Sequence, residues 1–199
     1  MIVIDIETSG LEPERNSILS IGAVEFENPS NQFYEECRLR DGAEASPEAL
    51  AVNGFTMAQI NDKTKKSLDE MLHDFKVWTD GVEDRTPAGH NISAFDLAFI
   101  RHYSRLYGIG LHFGHRSVDT HGLVYGGHLS RGIKPPLKNN RSDINSDGVM
   151  RYVGLPDEPR PHNGLTGAKM EAEAISRLLK GKPLLREYEA FPVPEYLKR

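Results

Sequence analysis

The sequence predicts an α/β domain in which helices pack on a mixed sheet. Apolar and β-branched runs come first, amphipathic helical stretches are interleaved after them, and no internal repeat or low-complexity linker divides the chain. The 199 residues suit one domain with a sizeable core. Hydrophobic residues at 38% and charged residues at 27% mark a soluble globular composition.

Taken in order, residues 1–6 form a short β-branched run, expected to be a buried strand at the N-terminus. Residues 18–26 predict a second strand and 32–39 a third. Residues 47–60 are expected to hold short helical turns. Ser67 then opens a helix, with Glu70 three residues on completing a capping box. Leu68, Met71, Leu72, Phe75 and Trp78 make its apolar stripe, and Gly81 follows its end. Residues 87–91 predict a strand end and turn, 95–107 a helix with Phe95, Phe99, Tyr103 and Leu106 on one side, and 117–120 a short strand. The Gly-, Lys-, Arg- and Asn-rich residues 126–147 are expected to be mostly loop, and 149–153 a short helix. Residues 165–179 predict a helix with Ala168, Ala172, Ile175 and Leu179 inward. The domain is expected to span 1–182, with 183–199 a C-terminal tail containing Pro192 and Pro194.

Net charge is −5, which argues against attachment to nucleic acid through overall positive charge. It leaves open a nuclease, whose metal site needs clustered carboxylates. No apolar run approaches the roughly 18 residues a membrane helix needs, so no membrane association is expected. The first residues lack the basic start and apolar stretch of a signal peptide. The single Cys37 excludes an internal disulfide. A cytoplasmic location is the expectation.

Three segments carry candidate chemistry. In Asp5-Ile6-Glu7-Thr8-Ser9-Gly10-Leu11, strand alternation projects Asp5 and Glu7 from one face. Two carboxylates side by side repel, and burying them is costly without a cation. Mg²⁺ resolves the conflict with one or two carboxylates plus waters and phosphate oxygens. On its own the pattern is short and equally fits two solvated acids at a strand end. In Gly89-His90-Asn91-Ile92-Ser93-Ala94-Phe95-Asp96, a strand turns into a helix and puts Asp96 in its first turn, where capping alone could explain it. In Pro161-His162-Asn163-Gly164-Leu165-Thr166-Gly167-Ala168-Lys169-Met170-Glu171, a loop histidine precedes a helix. Such a histidine can act as a general base at neutral pH, although one of eight histidines is more often ordinary surface.

Together, in this order and spacing, the three segments resemble the DEDDh exonucleases, a family that includes the proofreading subunit of bacterial DNA polymerase III. The resemblance runs from Met1 to about Lys182. It implies a ribonuclease H-like mixed five-stranded sheet flanked by helices, two divalent metal ions, Mg²⁺ or Mn²⁺, and 3′→5′ hydrolysis that releases nucleoside monophosphates from single-stranded DNA or RNA ends. By position, Asp5 resembles the ligand shared by both metals, Glu7 a ligand of the nucleophile-side metal, Asp96 the ligand on the leaving-group side and His162 the general base. Thr8, Leu11, Asn91 and Phe95 fall where the family contacts the terminal nucleotide. A polymerase or repair partner is a further expectation.

The chain departs from the pattern where the family has a fourth acidic ligand, five residues after the histidine; here that residue is Gly167. Glu171 lies one turn further along the same helix, offset by about 40°. Its extra methylene and the backward lean of helical side chains favour it as the replacement. Glu173 points to another face. The alternatives are an exonuclease-fold module that binds nucleic acid or a protein without catalysis, and an enzyme acting on mononucleotide-like or short oligonucleotide ends rather than on polymers. Arg131, Lys134, Lys138 and Arg141 form a basic stretch that suits either a solvated loop or a phosphate rail, with Arg101, His102 and Arg105 weaker candidates for the rail.

Overall fold

The computed structural model describes residues 1–199. Its centre is a five-stranded mixed sheet in the order β3-β2-β1-β4-β5, built from β1 (Ile2–Thr8), β2 (Ile18–Glu25), β3 (Gln32–Glu36), β4 (Pro87–Gly89) and β5 (Val118–Asp119). The first three strands form an antiparallel meander, and β4 and β5 join β1 in parallel. This is the ribonuclease H-like arrangement that the family resemblance implies.

Strand alternation divides β1 between two cores. Ile2, Ile4 and Ile6 face a layer made by α3 (Leu68–Asp80) and α4 (Asp96–Leu106), where Met71, Leu72, Phe75, Leu97, Ile100 and Tyr103 are buried. Val3 faces the opposite side, against Ala168, Ala172 and Ile175 of α7 (Gly164–Lys180). Asp5 and Glu7 share that second face with Val3 and so project toward the start of α7. The capping box at Ser67 and Glu70 forms as expected, with the Ser67 N–H donating to Glu70 Oε2 at 2.6 Å.

The start of α7 lies almost in contact with the sheet. Gly22 pairs with Asp5 across β1 and β2, and a Cβ there would overlap the Gly164 backbone. A Cβ on Gly164 would meet the Asp5 carbonyl oxygen at 2.8 Å. Two facing glycines thus let the helix backbone approach a strand more closely than any side chain permits.

Two expectations change. Residues 120–130, partly read as loop, form helix α5 (Thr120–Ser130), capped by Asp119, whose side chain accepts from the His121 N–H at 3.0 Å. Gly122, Gly126 and Gly127 depress its helical propensity. A tertiary contact explains one of them: a Cβ on Gly127 would crowd the Tyr152 ring. The loop that follows contains a hairpin of β6 (Leu137–Lys138) and β7 (Arg141–Ser142), turned by Asn139 and Asn140 at φ 50° and 60°. Paired left-handed residues are the signature of a tight two-residue hairpin.

Residues 183–199, expected as a tail, are bound to the domain. The buried Glu173–Arg177 pair, at 2.7 Å, is the fastener. Glu173 Oε2 accepts the Leu184 and Leu185 N–H groups at 2.7 and 2.9 Å, and Arg177 donates to the carbonyls of Val153, Tyr188 and Phe191. Glu173 is therefore fully committed and plays no part in the acidic site. Beneath this strap, α6 (Ser146–Tyr152), α5 and α7 share a small core around Val124, Val149 and Met170.

Candidate active site

The acidic site forms where β4 ends. β4 pairs with β1 only as far as Val3, so the Ile6 N–H has no strand partner. Asp96, in the first turn of α4, supplies one: its Oδ1 accepts that N–H at 3.1 Å. A buried backbone donor left unpaired is costly. The same bond that satisfies it fixes Asp96 beside Asp5 and Glu7. A bulge between Glu7 and Thr8 then re-aims the end of β1.

Asp5 is the electrostatic hub. Burial comes first and the charges of Asp96, Glu7, Glu158 and Glu171 follow, holding its carboxyl well above the ordinary range. Burial pushes Glu7 to about 8, with Glu158 and Asp96 adding to it. Burial likewise raises Asp96 to about 7, opposed by the backbone N–H groups of Asp96 and Ile6. No lysine or arginine forms an ion pair with any of these acids.

Glu171 is 3% exposed. Its Oε1 accepts from the Ser146 hydroxyl at 3.2 Å, and its Oε2 is buried without a partner. Burial raises it to about 8, while the hydroxyls of Thr120 and Ser146 pull it down. Position 167 is not open space. A Cβ on Gly167 would overlap Asp5 Oδ2 and lie 2.8 Å from Asp5 Cγ, so the Asp5 carboxylate rests against the helix there.

His162 sits in a segment braced by Pro156, Pro159 and Pro161, and its N–H donates to the Val52 carbonyl at 3.0 Å. Desolvation and then Arg160 lower its pKa, which favours the neutral ring. Its Nδ1 lies 3.4 Å from Glu158 Oε2. Glu158 belongs to no motif and escaped sequence reading. The available signal is an acid four residues before the histidine in a proline-braced loop. The tightest convergence of donor atoms is Glu7, Glu158 and His162, all within 4.8 Å of one another. Asp5, Glu7 and Asp96 are electrostatic neighbours but do not close to a common point at that distance.

The nucleotide-contact candidates are placed as follows. Thr8 is buried, its hydroxyl bonded to the Gly10 carbonyl at 2.6 Å, and Asn53 of α1 (Pro47–Asn53) donates to the Thr8 carbonyl at 3.0 Å. Leu11 is 79% exposed, an apolar side chain offered to solvent. Asn91 turns the chain at φ 51°, its carbonyl accepting the Ala94 and Phe95 N–H groups. Phe95 packs against Phe99 at a ring distance of 5.3 Å. Of the basic stretch, Lys138 and Arg141 lie on the exposed hairpin and Lys134 just before it, whereas Arg131 stacks over the Tyr196 ring at 3.6 Å. Arg101 donates to the Gly114 carbonyl.

A family profile described as "Exonuclease" (RNase_T) matches residues 2–174. The chain belongs to the exonuclease family. It is 35% identical over 193 residues to the 3′-5′ DNA exonuclease Cap18 of Escherichia coli, covering 93% of this chain and 96% of that protein. It is also 27% identical over 181 residues to the PolC-type DNA polymerase III of Thermotoga maritima, covering 90% of this chain but only 12% of the polymerase. Among solved structures, E. coli Exonuclease I in complex with a dT13 oligonucleotide aligns with a TM-score of 0.66 at 13% identity, over 88% of this chain and 40% of that one. The cell-death related nuclease CRN-4 aligns with a TM-score of 0.68 at 15% identity, over 92% of this chain and 64% of that one. At these identities the structural likeness establishes the fold. No helix of this exonuclease-family chain is long and apolar enough to cross a membrane.

The acids fit a divalent cation on structural grounds. All five are hard oxygen donors, all have raised pKa values, and two of them, Glu158 and Glu171, carry a buried oxygen with no partner. The raised values set a pH dependence. Folded, these carboxyls hold protons up to about 7–8; unfolded, they lose them near about 4. The folded state binds more protons at these groups between those limits, so their contribution to metal-free stability declines as pH rises from about 4 to about 8. Thermal unfolding in EDTA should show the melting temperature falling from pH 5 to pH 8, and Mg²⁺ or Mn²⁺ at pH 8 should recover it. A melting temperature that does not fall with pH, or that ignores added metal, contradicts this account.

Proposed function

We propose that this chain is a metal-dependent 3′→5′ exonuclease that releases nucleoside monophosphates from single-stranded DNA ends. The observation that carries the reading is the gathering of half-buried Asp5 with buried Glu7, Asp96 and Glu171 without a pairing lysine or arginine, beside a histidine whose pKa desolvation lowers. The choice of DNA and of direction rests on the likeness to Cap18, whose description carries both. Exonuclease I structures of the same fold hold single-stranded oligonucleotides, which supports a single-stranded substrate here. The likeness to a segment of PolC-type DNA polymerase III supports a polymerase or repair complex as the setting. The lone, buried Cys37 suits the cytoplasm.

Asp5, Glu7, Asp96 and Glu171 are the side chains that would hold two Mg²⁺ or Mn²⁺ ions. Such ions neutralise phosphoryl charge, lower the pKa of an attacking water and assist the leaving oxygen. His162 accepts the proton from that water; its Nε2 is free for the purpose because Nδ1 faces Glu158. Thr8 and Asn91 hold the turns that border the acids. Leu11 and Phe95 present apolar surface to the terminal base, and stacking contributes roughly 1–3 kcal/mol per base.

Digestion of end-labelled strands tests the proposal. Mononucleotide release should require Mg²⁺ or Mn²⁺, stop in EDTA, start at the 3′ end, and proceed faster on single-stranded or frayed ends than on a blunt duplex. The missing carboxylate at Gly167 favours a second reading, a nucleic-acid-binding module without catalysis. Oligonucleotide binding with no metal-dependent release would select it.

A further inference from the structure

If this site is that of a metal-dependent exonuclease, its Glu7 side is one carboxylate short, because Gly167 has no side chain. Glu171 does not fill that side. Its Oε1 is bonded to Ser146, and it is not among the donors that close on Glu7. The donors that converge with Glu7 come instead from the loop before α7: Glu158 and His162, within 4.8 Å of Glu7 and of each other.

The Glu158 side chain is 8% exposed. One oxygen, Oε2, faces His162 Nδ1 at 3.4 Å, whereas Oε1 is buried and has no partner at all. A buried, unpaired carboxylate oxygen costs free energy comparable to a lost hydrogen bond or more. The chain nevertheless holds it in place. Pro156 and Pro159 fix the backbone on either side, and the Glu158 N–H points to Asp147 Oδ1 at 3.4 Å. One carboxylate oxygen of Glu158 lies within 4.8 Å of donor atoms of Glu7 and His162, where a cation would satisfy an unpaired carboxylate.

We infer that Glu158 supplies to the Glu7 side the carboxylate that Gly167 cannot, so that the cation site is built from five acids, with the fifth drawn from the loop that also carries the general base. A ligand lost from the helix is thereby replaced from the segment that precedes it. The same residue faces His162 Nδ1 at 3.4 Å and so orients the ring.

Titrating Mn²⁺ into the metal-free full chain by calorimetry, alongside thermal unfolding with and without Mn²⁺, tests this without relying on turnover. The parent protein should take up two ions. Glu158→Gln should fold, melt no lower than the parent in EDTA because a repelling acid is gone, and retain one ion while the other weakens by at least about 100-fold, the upper end of what an outer-sphere partner contributes. Its Mn²⁺-induced rise in melting temperature should shrink accordingly. Glu158→Ala guards against a glutamine whose amide oxygen still binds, and His162→Ala should keep both ions. If both Glu158 variants bind two ions as the parent does, Glu158 is no ligand and this inference fails while the exonuclease reading stands. A parent protein that binds no Mn²⁺ and releases no nucleotide overturns both.

Discussion

Replacing His162 with alanine should lower the rate of nucleotide release by about 10²–10⁴, the usual contribution of a general base, while leaving Mn²⁺ binding intact. The expectation rests on three features. Desolvation lowers the pKa of the ring and so favours its neutral form, its backbone is anchored to Val52, and its Nδ1 faces Glu158 at 3.4 Å. A neutral imidazole with one nitrogen directed at a carboxylate leaves the other free to take a proton. End-labelled single strands digested under single-turnover conditions, with metal titrated in parallel, separate the two roles. Unchanged turnover removes His162 from the chemistry, and loss of metal along with turnover makes it a ligand instead of a base.

Glu171→Ala should lower turnover by at least about 100-fold, as loss of a group that holds the metal does. Glu171 is buried, raised to about 8, and bonded through one oxygen only, so its other oxygen is available to a cation beside Asp5 and Asp96. A surface acid in this position would instead leave turnover unchanged. The companion change, Gly167→Asp, is expected to do less than the family pattern implies. A side chain at 167 overlaps the Asp5 carboxylate, so an aspartate there must first displace the ligand shared by both metals. Nucleotide release by Glu171→Ala, Gly167→Asp and the double variant, in Mg²⁺ and in Mn²⁺, should show the single Glu171 change crippling and the aspartate giving at most partial recovery. Full recovery by Gly167→Asp in the Glu171→Ala background shows that Asp5 moves freely and that position 167 is simply vacant.

The first strand, the capping box at Ser67 and the apolar stripe of α3 could be read from the sequence because each depends on neighbours within one turn or one pleat. Alternation alone put Asp5 and Glu7 on one face, and the start of α4 at Asp96 followed from a strand-turn-helix pattern. Helix α5 was hidden by its glycines, one of which is explained only by the Tyr152 ring packed against it. The hairpin at Asn139 and Asn140 was hidden by its length, since two-residue strands carry no periodicity.

What the sequence by itself determined is the set of chemically competent residues and the fold that gathers most of them: two acids on a strand, one at a helix start, one in the last helix, and a histidine before it. The tertiary structure alone decided how they meet. Asp96 is fixed by an N–H that β4 leaves unpaired, the Asp5 carboxylate rests where Gly167 has no side chain, and Glu158 reaches Glu7 and His162 from a loop with no motif of its own. The reason is that periodicity and caps are local, whereas these contacts join residues distant in sequence. Their cost and benefit depend on burial, which no spacing along the chain reveals.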